Sequence, residues 1–130
     1  YAHHPTEIKA TMETAKYVAK KNIVVIFQPH RYSRTKNLYL DFLKVLKNID
    51  TLFVCDIYAA GEKPIPGINS SKIVKDLRKL GSKNVYYKKR NENINFLLSP
   101  YFLKENTIIF MGAGSISQWA YDLIGRKIDS

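Results

Sequence analysis

Three short and almost wholly apolar runs recur along this chain: Ile23-Val24-Val25-Ile26-Phe27, Leu52-Phe53-Val54-Cys55 and Ile108-Ile109-Phe110-Met111. Each is too short for a buried helix, is rich in β-branched and aromatic residues, and lacks the polar alternation of a half-exposed strand. Strands that are apolar on both faces belong in a sheet covered on both sides, which is characteristically a parallel sheet with helical crossovers. Between the runs, the spacing of apolar residues changes to that of helices. A first helix runs to about residue 20 with Ile8, Met12, Ala15, Val18 and Ala19 inward, started by Thr6 or His4 as cap and by Pro5 in its first turn. A second covers about 34–47 with Leu38, Phe42, Leu43 and Leu46 inward. A third, capped by Ser70 or Ser71, buries Ile73, Val74, Leu77 and Leu80 and stops at Gly81. A shorter helix over 92–98 carries Ile94, Leu97 and Leu98 and ends at Pro100. The last places Ile116, Trp119, Ala120 and Leu123 inward and ends near Gly125. With strands at about 22–27, 51–56, 84–87 and 107–111, the order predicts an α/β fold: a three-layer, Rossmann-like domain with a predominantly parallel sheet and helices on both faces.

At 130 residues the chain is one domain, long enough to bury roughly two-thirds of its unfolded surface without staples. Its single cysteine, Cys55, lies within an apolar run and reads as a small core residue. One cysteine excludes an internal disulfide or a cysteine-ligated metal site and fits a reducing, cytoplasmic setting. No apolar stretch approaches the length of a membrane span, so no membrane association is expected. The chain opens at Tyr1, inside what already reads as a motif, and is expected to be part of something longer.

A net charge of +10 and a pI near 9.7 raise nucleic acid as a partner. The lysines, however, are scattered over the polar faces and C-terminal ends of helices (Lys9, Lys16, Lys44, Lys47, Lys72, Lys75), where they favour the helix dipole. No basic stripe interleaved with aromatics is present, and nucleic acid is not expected as a partner.

Three loops follow strands, at 28–35, 57–69 and 112–116, and in a parallel sheet all three open on one edge. Ligands of open α/β sheets bind outside that edge. The first loop, Gln28-Pro29-His30-Arg31-Tyr32-Ser33-Arg34-Thr35, carries two arginines three residues apart. If its helix starts at or before Arg31, both guanidiniums share a face and suit a carboxylate or a phosphate. The alternative is that both form surface ion pairs or cap carbonyls. The second loop holds two prolines and two glycines and is long for so small a domain. In the third, Gly112 and Gly114 offer backbone amides, either to a ligand or merely for a tight entry into the next helix. If a strand precedes the first helix, His3 and His4 reach the same edge, although a histidine pair at a helix start also suits capping. The resulting cleft gathers Tyr1, His3, His30, Arg31, Arg34 and Glu62. No P-loop, Ser-His-Asp order, paired acids or clustered metal ligands accompany it, and no metal site is expected. Residue chemistry alone describes an anion-binding α/β domain without a complete catalytic set.

Four motifs, in order, go further: Tyr-Ala-His-His-Pro-Thr-Glu-Ile (1–8), Phe-Gln-Pro-His-Arg-Tyr-Ser-Arg-Thr (27–35), Asp-Ile-Tyr-Ala-Ala-Gly-Glu (56–62) and Met-Gly-Ala-Gly-Ser-Ile (111–116). With these the chain resembles, over essentially its whole length, the C-terminal domain of the Mur ligase family. The resemblance implies a three-domain enzyme whose N-terminal UDP-binding and central ATPase domains are absent from this chain. It implies ATP-dependent joining of L-alanine to UDP-N-acetylmuramate in peptidoglycan synthesis, through an acyl phosphate, with ATP and Mg2+ bound mainly by the central domain. This fragment alone is then expected to be inactive. By resemblance, Arg31 and Arg34 hold the alanine carboxylate, Tyr1 and His30 line the alanine side of the pocket, and His3 lies near the reacting groups as the catalytic candidate. Glu62, Gly112 and Gly114 remain further cleft candidates. The family commonly has aspartate where Ser115 stands, which leaves that position without a role. Alternatives are the related recycling ligase that attaches a peptide to UDP-N-acetylmuramate, and a free-standing anion- or nucleotide-binding module. The recycling branch typically lacks the His-Arg-Tyr-Ser-Arg-Thr run, so that run favours alanine.

Overall fold

Every residue of strand β1 (Ile23–Gln28) is buried, because its two faces each meet a layer of apolar side chains. In the computed structural model, which describes residues 3–19, 21–102 and 106–112, β1 is flanked by β2 (Thr51–Cys55) and β4 (Thr107–Gly112), with β3 (Val85–Lys88) beyond β2. The order is β3-β2-β1-β4 and all pairings are parallel, with Val25 opposite Leu52 on one side and Ile109 on the other. The chain moves outward from β1 to β3 and then crosses back to β1's free side, so the direction of winding reverses between β1 and β4. That switch point opens a crevice at the strands' C-terminal ends. The expected final helix, with Trp119, lies outside the described residues.

Strand alternation sorts the core into two layers. Val25, Phe27, Leu52 and Val54 pack with Ile8 and Met12 of α1 (Pro5–Val18), Phe42 and Leu46 of α3 (Tyr39–Leu46) and Ile73 and Leu77 of α4 (Ser70–Lys79). Val24, Ile26, Phe53 and Cys55 face the other way, onto Leu98 of α5 (Ile94–Leu98), with the half-buried Tyr101 and Phe102 beside it. Helices therefore cover both faces of a parallel sheet, as the apolar runs require.

The elements differ from the sequence reading in local ways. His4, not Thr6, caps α1: its Nδ1 accepts the Thr6 N–H at 3.2 Å while Glu7 accepts the His4 N–H at 3.1 Å. The helix ends two residues early, and Val18 is 70% exposed on its last turn while Ala19 turns against the core. The second helix is two. A short α2 (Tyr32–Asn37) breaks at Leu38, whose backbone leaves helical geometry at φ −110° and ψ 20°, and α3 follows. The buried Thr35 hydroxyl bonds the Arg31 carbonyl at 2.8 Å and fixes α2 to the preceding loop, while α3 turns its apolar stripe onto the sheet. Asn69 caps α4 by accepting the Lys72 N–H at 2.8 Å, because the Ser70 hydroxyl is committed to the Cys55 carbonyl. Leu80, expected inside, is 55% exposed at that helix's end, where Gly81 at φ +102° reverses the chain.

Candidate functional site

Beyond the ends of β1 and β2 the two segments stay paired for one more step. The Tyr58 N–H donates to the Pro29 carbonyl at 2.9 Å and the Arg31 N–H donates to the Tyr58 carbonyl at 2.8 Å. This extra parallel bridge pairs His30 with Tyr58 and lays their rings together, centroids 5.5 Å apart and planes 11° apart. His3, just ahead of α1, meets His30 edge-on at 5.5 Å and 78°. The first helix therefore does bring its N-terminus to the loop edge.

His30 is half-buried and its Nδ1 is enclosed, with no hydrogen-bond partner among the described residues. Burial holds its pKa below the ordinary histidine value, and the charges of His3, Arg34 and Arg31 lower it further, with Glu62 opposing. The imidazole thus sits neutral inside a cationic surround. Neither Arg31 nor Arg34 has an ion pair or a side-chain hydrogen bond among the described residues.

Helical spacing is not what groups the two arginines. The helix begins at Tyr32, and Arg31 precedes it at φ +70° and ψ 142°, backbone territory that side chains avoid. Its N–H is held by Tyr58, and its carbonyl accepts from Thr35 N–H at 3.2 Å and Thr35 Oγ1 at 2.8 Å. Arg31 therefore sits in a sharp turn ahead of the helix, Arg34 lies in its first turn, and the charges of both reach His30.

Glu62 does not stand open in the cleft as a free acid. A turn with Ala60 at φ +50° and Gly61 at φ +87° carries it over the start of α2. There Oε1 accepts the Ser33 N–H at 3.0 Å and Oε2 accepts the Ser33 hydroxyl. Those bonds, the hydroxyl's foremost, hold its pKa below the usual carboxylate value. Gly112 ends β4 opposite Gln28, buried and at φ +143°, on the other flank of the switch point. Tyr1 and Gly114 lie outside the described residues, as does Ser115.

Sequence reasoning missed a neighbouring cavity of about 500 Å3, which shares the Tyr58 loop and is lined also by Gln28, Asp56, Lys88 and Arg90. Lys88 is buried at the end of β3 and donates from Nζ to the Lys89 carbonyl at 3.0 Å. Tyr87 donates to the Asp56 carboxylate, which with burial pushes the phenol up to about 12. Strand β3 was expected to stop at residue 87; a lysine directly after its tyrosine pair was the one available signal. Cys55 is buried and its thiol is pushed up to about 12, so it behaves as a core residue. No cluster of three His, Cys, Asp or Glu side chains able to hold a metal occurs among the described residues. No described helix is long and apolar enough to cross a membrane.

Comparison with known proteins places this arrangement. The family model for the Mur ligase glutamate ligase domain matches residues 1–114. The chain is 41% identical over 129 residues to the UDP-N-acetylmuramate–L-alanine ligase of Carboxydothermus hydrogenoformans, covering 97% of this chain and 27% of that protein. It is 43% identical over 138 residues to the protein of the same name from Rickettsia felis, with coverage of 97% and 27%. The crystal structure of UDP-N-acetylmuramate-alanine ligase from Thermotoga maritima superposes with a TM-score of 0.67 at 27% identity, over 99% of this chain and 26% of that one. The chain spans about a quarter of the length of these relatives. On a match that takes in all but the last residues, the chain belongs to the Mur ligase family, as its glutamate ligase domain.

Proposed function

We propose that this chain is the amino-acid-recognising C-terminal domain of a cytoplasmic, ATP-dependent ligase that joins L-alanine to UDP-N-acetylmuramate. The observation that carries the reading is the pair Arg31 and Arg34, both without a partner among the described residues, set around a neutral His30 at the crevice edge. An amino-acid carboxylate needs two or three charge-assisted donors in fixed places, and guanidiniums supply them best. A neutral imidazole stacked on Tyr58 gives a rigid, uncharged wall that suits a methyl side chain. Tyr1 is assigned to the same side of the pocket by resemblance. We assign to His3, edge-on to His30, the orienting of the reacting groups, and to Gly112 a close backbone approach to substrate. Relatives about 40% identical that are named as L-alanine ligases support the choice of amino acid.

A domain that only recognises an amine donor needs the rest of an enzyme. We assign the UDP-binding and ATPase work to domains preceding this one, in keeping with the quarter-length match. By the same family resemblance, Mg2+ and the nucleotide phosphates are assigned mainly to the central domain. Closure of this domain over them would exclude water and hold the amine in line for attack.

The test is ADP release by the full-length enzyme given ATP, UDP-N-acetylmuramate and candidate amine donors. Release dependent on L-alanine is expected. Release with the tripeptide L-alanyl-γ-D-glutamyl-meso-diaminopimelate but not with L-alanine would contradict the proposal.

A further inference from the structure

Glu62 lies near enough to Arg31 to feel its charge, yet no ion pair with Arg31 or Arg34 forms within 4.0 Å. Its oxygens bond Ser33 instead, one accepting the N–H at 3.0 Å and the other the hydroxyl. What this achieves is mechanical. Helix α2 is only six residues long and receives no capping bond from the Arg31 side chain, so its first turn is secured from a loop 29 residues downstream. The same loop grips Arg31 itself, through the Tyr58 carbonyl at 2.8 Å. Arg31 is thus held in its strained φ of +70° by one anchor at its own N–H and a second two residues later. Strained backbone persists only where surrounding bonds over-determine it.

Resting on the proposed amino-acid reading, we infer that Glu62 and Ser33 are positioning residues for the arginine clamp: their tie fixes the backbone from which Arg31 and Arg34 project, and neither touches the substrate. With the tie cut, the first turn of α2 and the strained backbone at Arg31 lose one of their two anchors. A less firmly held arginine pair weakens carboxylate recognition without touching the nucleotide.

The experiment measures KM for L-alanine and for ATP, kcat and thermal midpoint in the full-length enzyme carrying Glu62→Ala, Glu62→Gln or Ser33→Ala. Glu62→Ala is expected to raise the alanine KM by about tenfold or more, with the ATP KM within about twofold. Glu62→Gln and Ser33→Ala each keep part of the tie and should fall between it and wild type. The double variant Glu62→Ala/Ser33→Ala should be no worse than Glu62→Ala, since the two act as one unit. An unchanged alanine KM in folded Glu62→Ala overturns the inference, and so does a parallel shift in both KM values. If Glu62→Ala fails to fold, Ser33→Ala decides by the same criteria. Absence of alanine-dependent ADP release from the wild type sinks the amino-acid reading itself. Alanine-dependent release with an indifferent Glu62 sinks only the positioning role.

Discussion

His30 and Tyr58, 28 residues apart in sequence, lie face to face with ring centroids 5.5 Å apart and an interplanar angle of 11°. The stack exists because the backbone carries the β1–β2 pairing one step past the strands. It turns a flexible loop histidine into a fixed wall. Tyr58→Phe keeps the stack, and its alanine KM should stay within about twofold of wild type. Tyr58→Ala should raise it about fivefold or more and lower stability by about 1 kcal/mol. Steady-state kinetics with thermal unfolding of the full-length enzyme checks both.

The depressed pKa of His30 has a definite sign. The folded value lies below the unfolded value of about 6.5, so on acidification the unfolded chain takes up the proton first. Stability is full above pH 6.5 and is lost as pH falls through the folded pKa. His30→Gln should flatten that slope on the acid side of about pH 6.5. Binding of a carboxylate near the ring should raise its pKa, which an NMR titration of the imidazole with and without L-alanine reads directly.

Among the described carboxylates, Asp76 and Glu62 join Glu7 in being held below their ordinary values. Asp76 is held below its ordinary range by Lys72 at 2.8 Å and by the Tyr39 hydroxyl at 2.6 Å, and Glu62 by Ser33. Depressed carboxylates stabilise above their unfolded pKa, about 4, and the contribution disappears as pH drops through the folded value. Asp76→Asn should therefore flatten stability loss below pH 4 while costing only about 1 kcal/mol or less at pH 7, since the Lys72 side chain is 45% exposed and the pair is screened by solvent. Denaturant midpoints across pH 2.5–7 would show it.

Core and surface leucines should separate cleanly. Leu77 has no exposed area and packs beneath β2, so Leu77→Ala should cost roughly 2–5 kcal/mol. Leu40, 72% exposed on α3, should tolerate alanine within about 0.5 kcal/mol. Thermal shifts of the two variants measure the contrast.

Much of the fold was legible because its signals are local. The apolar runs at β1 and β2 demand burial on both faces and are fully buried, the run at β4 is half-buried over Thr107–Phe110, and a 3.6-residue period marks α1, α3 and α4. The break at Leu38 and the exposure of Val18 and Leu80 were not, since they depend on where neighbouring elements let a helix stop. At the site, His30, Arg31 and Arg34 were visible as adjacent polar residues after a strand. The turn that groups them was hidden: non-glycine residues rarely adopt φ +70°, and nothing in the order His-Arg-Tyr announces it. Glu62 was picked for the cleft as an acid, whereas its bond to Ser33 depends on a contact across 29 residues. Lys88 and Arg90 escaped notice because β3 is short and its edge polarity resembles a solvated strand end.

Under the proposed function Arg31 binds the amino-acid carboxylate while the nucleotide is handled elsewhere. Arg31→Ala in the full-length enzyme separates the two, by KM for L-alanine and for ATP measured side by side. The alanine KM is predicted to rise by about tenfold or more while the ATP KM stays within about twofold. An equal rise in both, or an unchanged alanine KM, would contradict the carboxylate clamp.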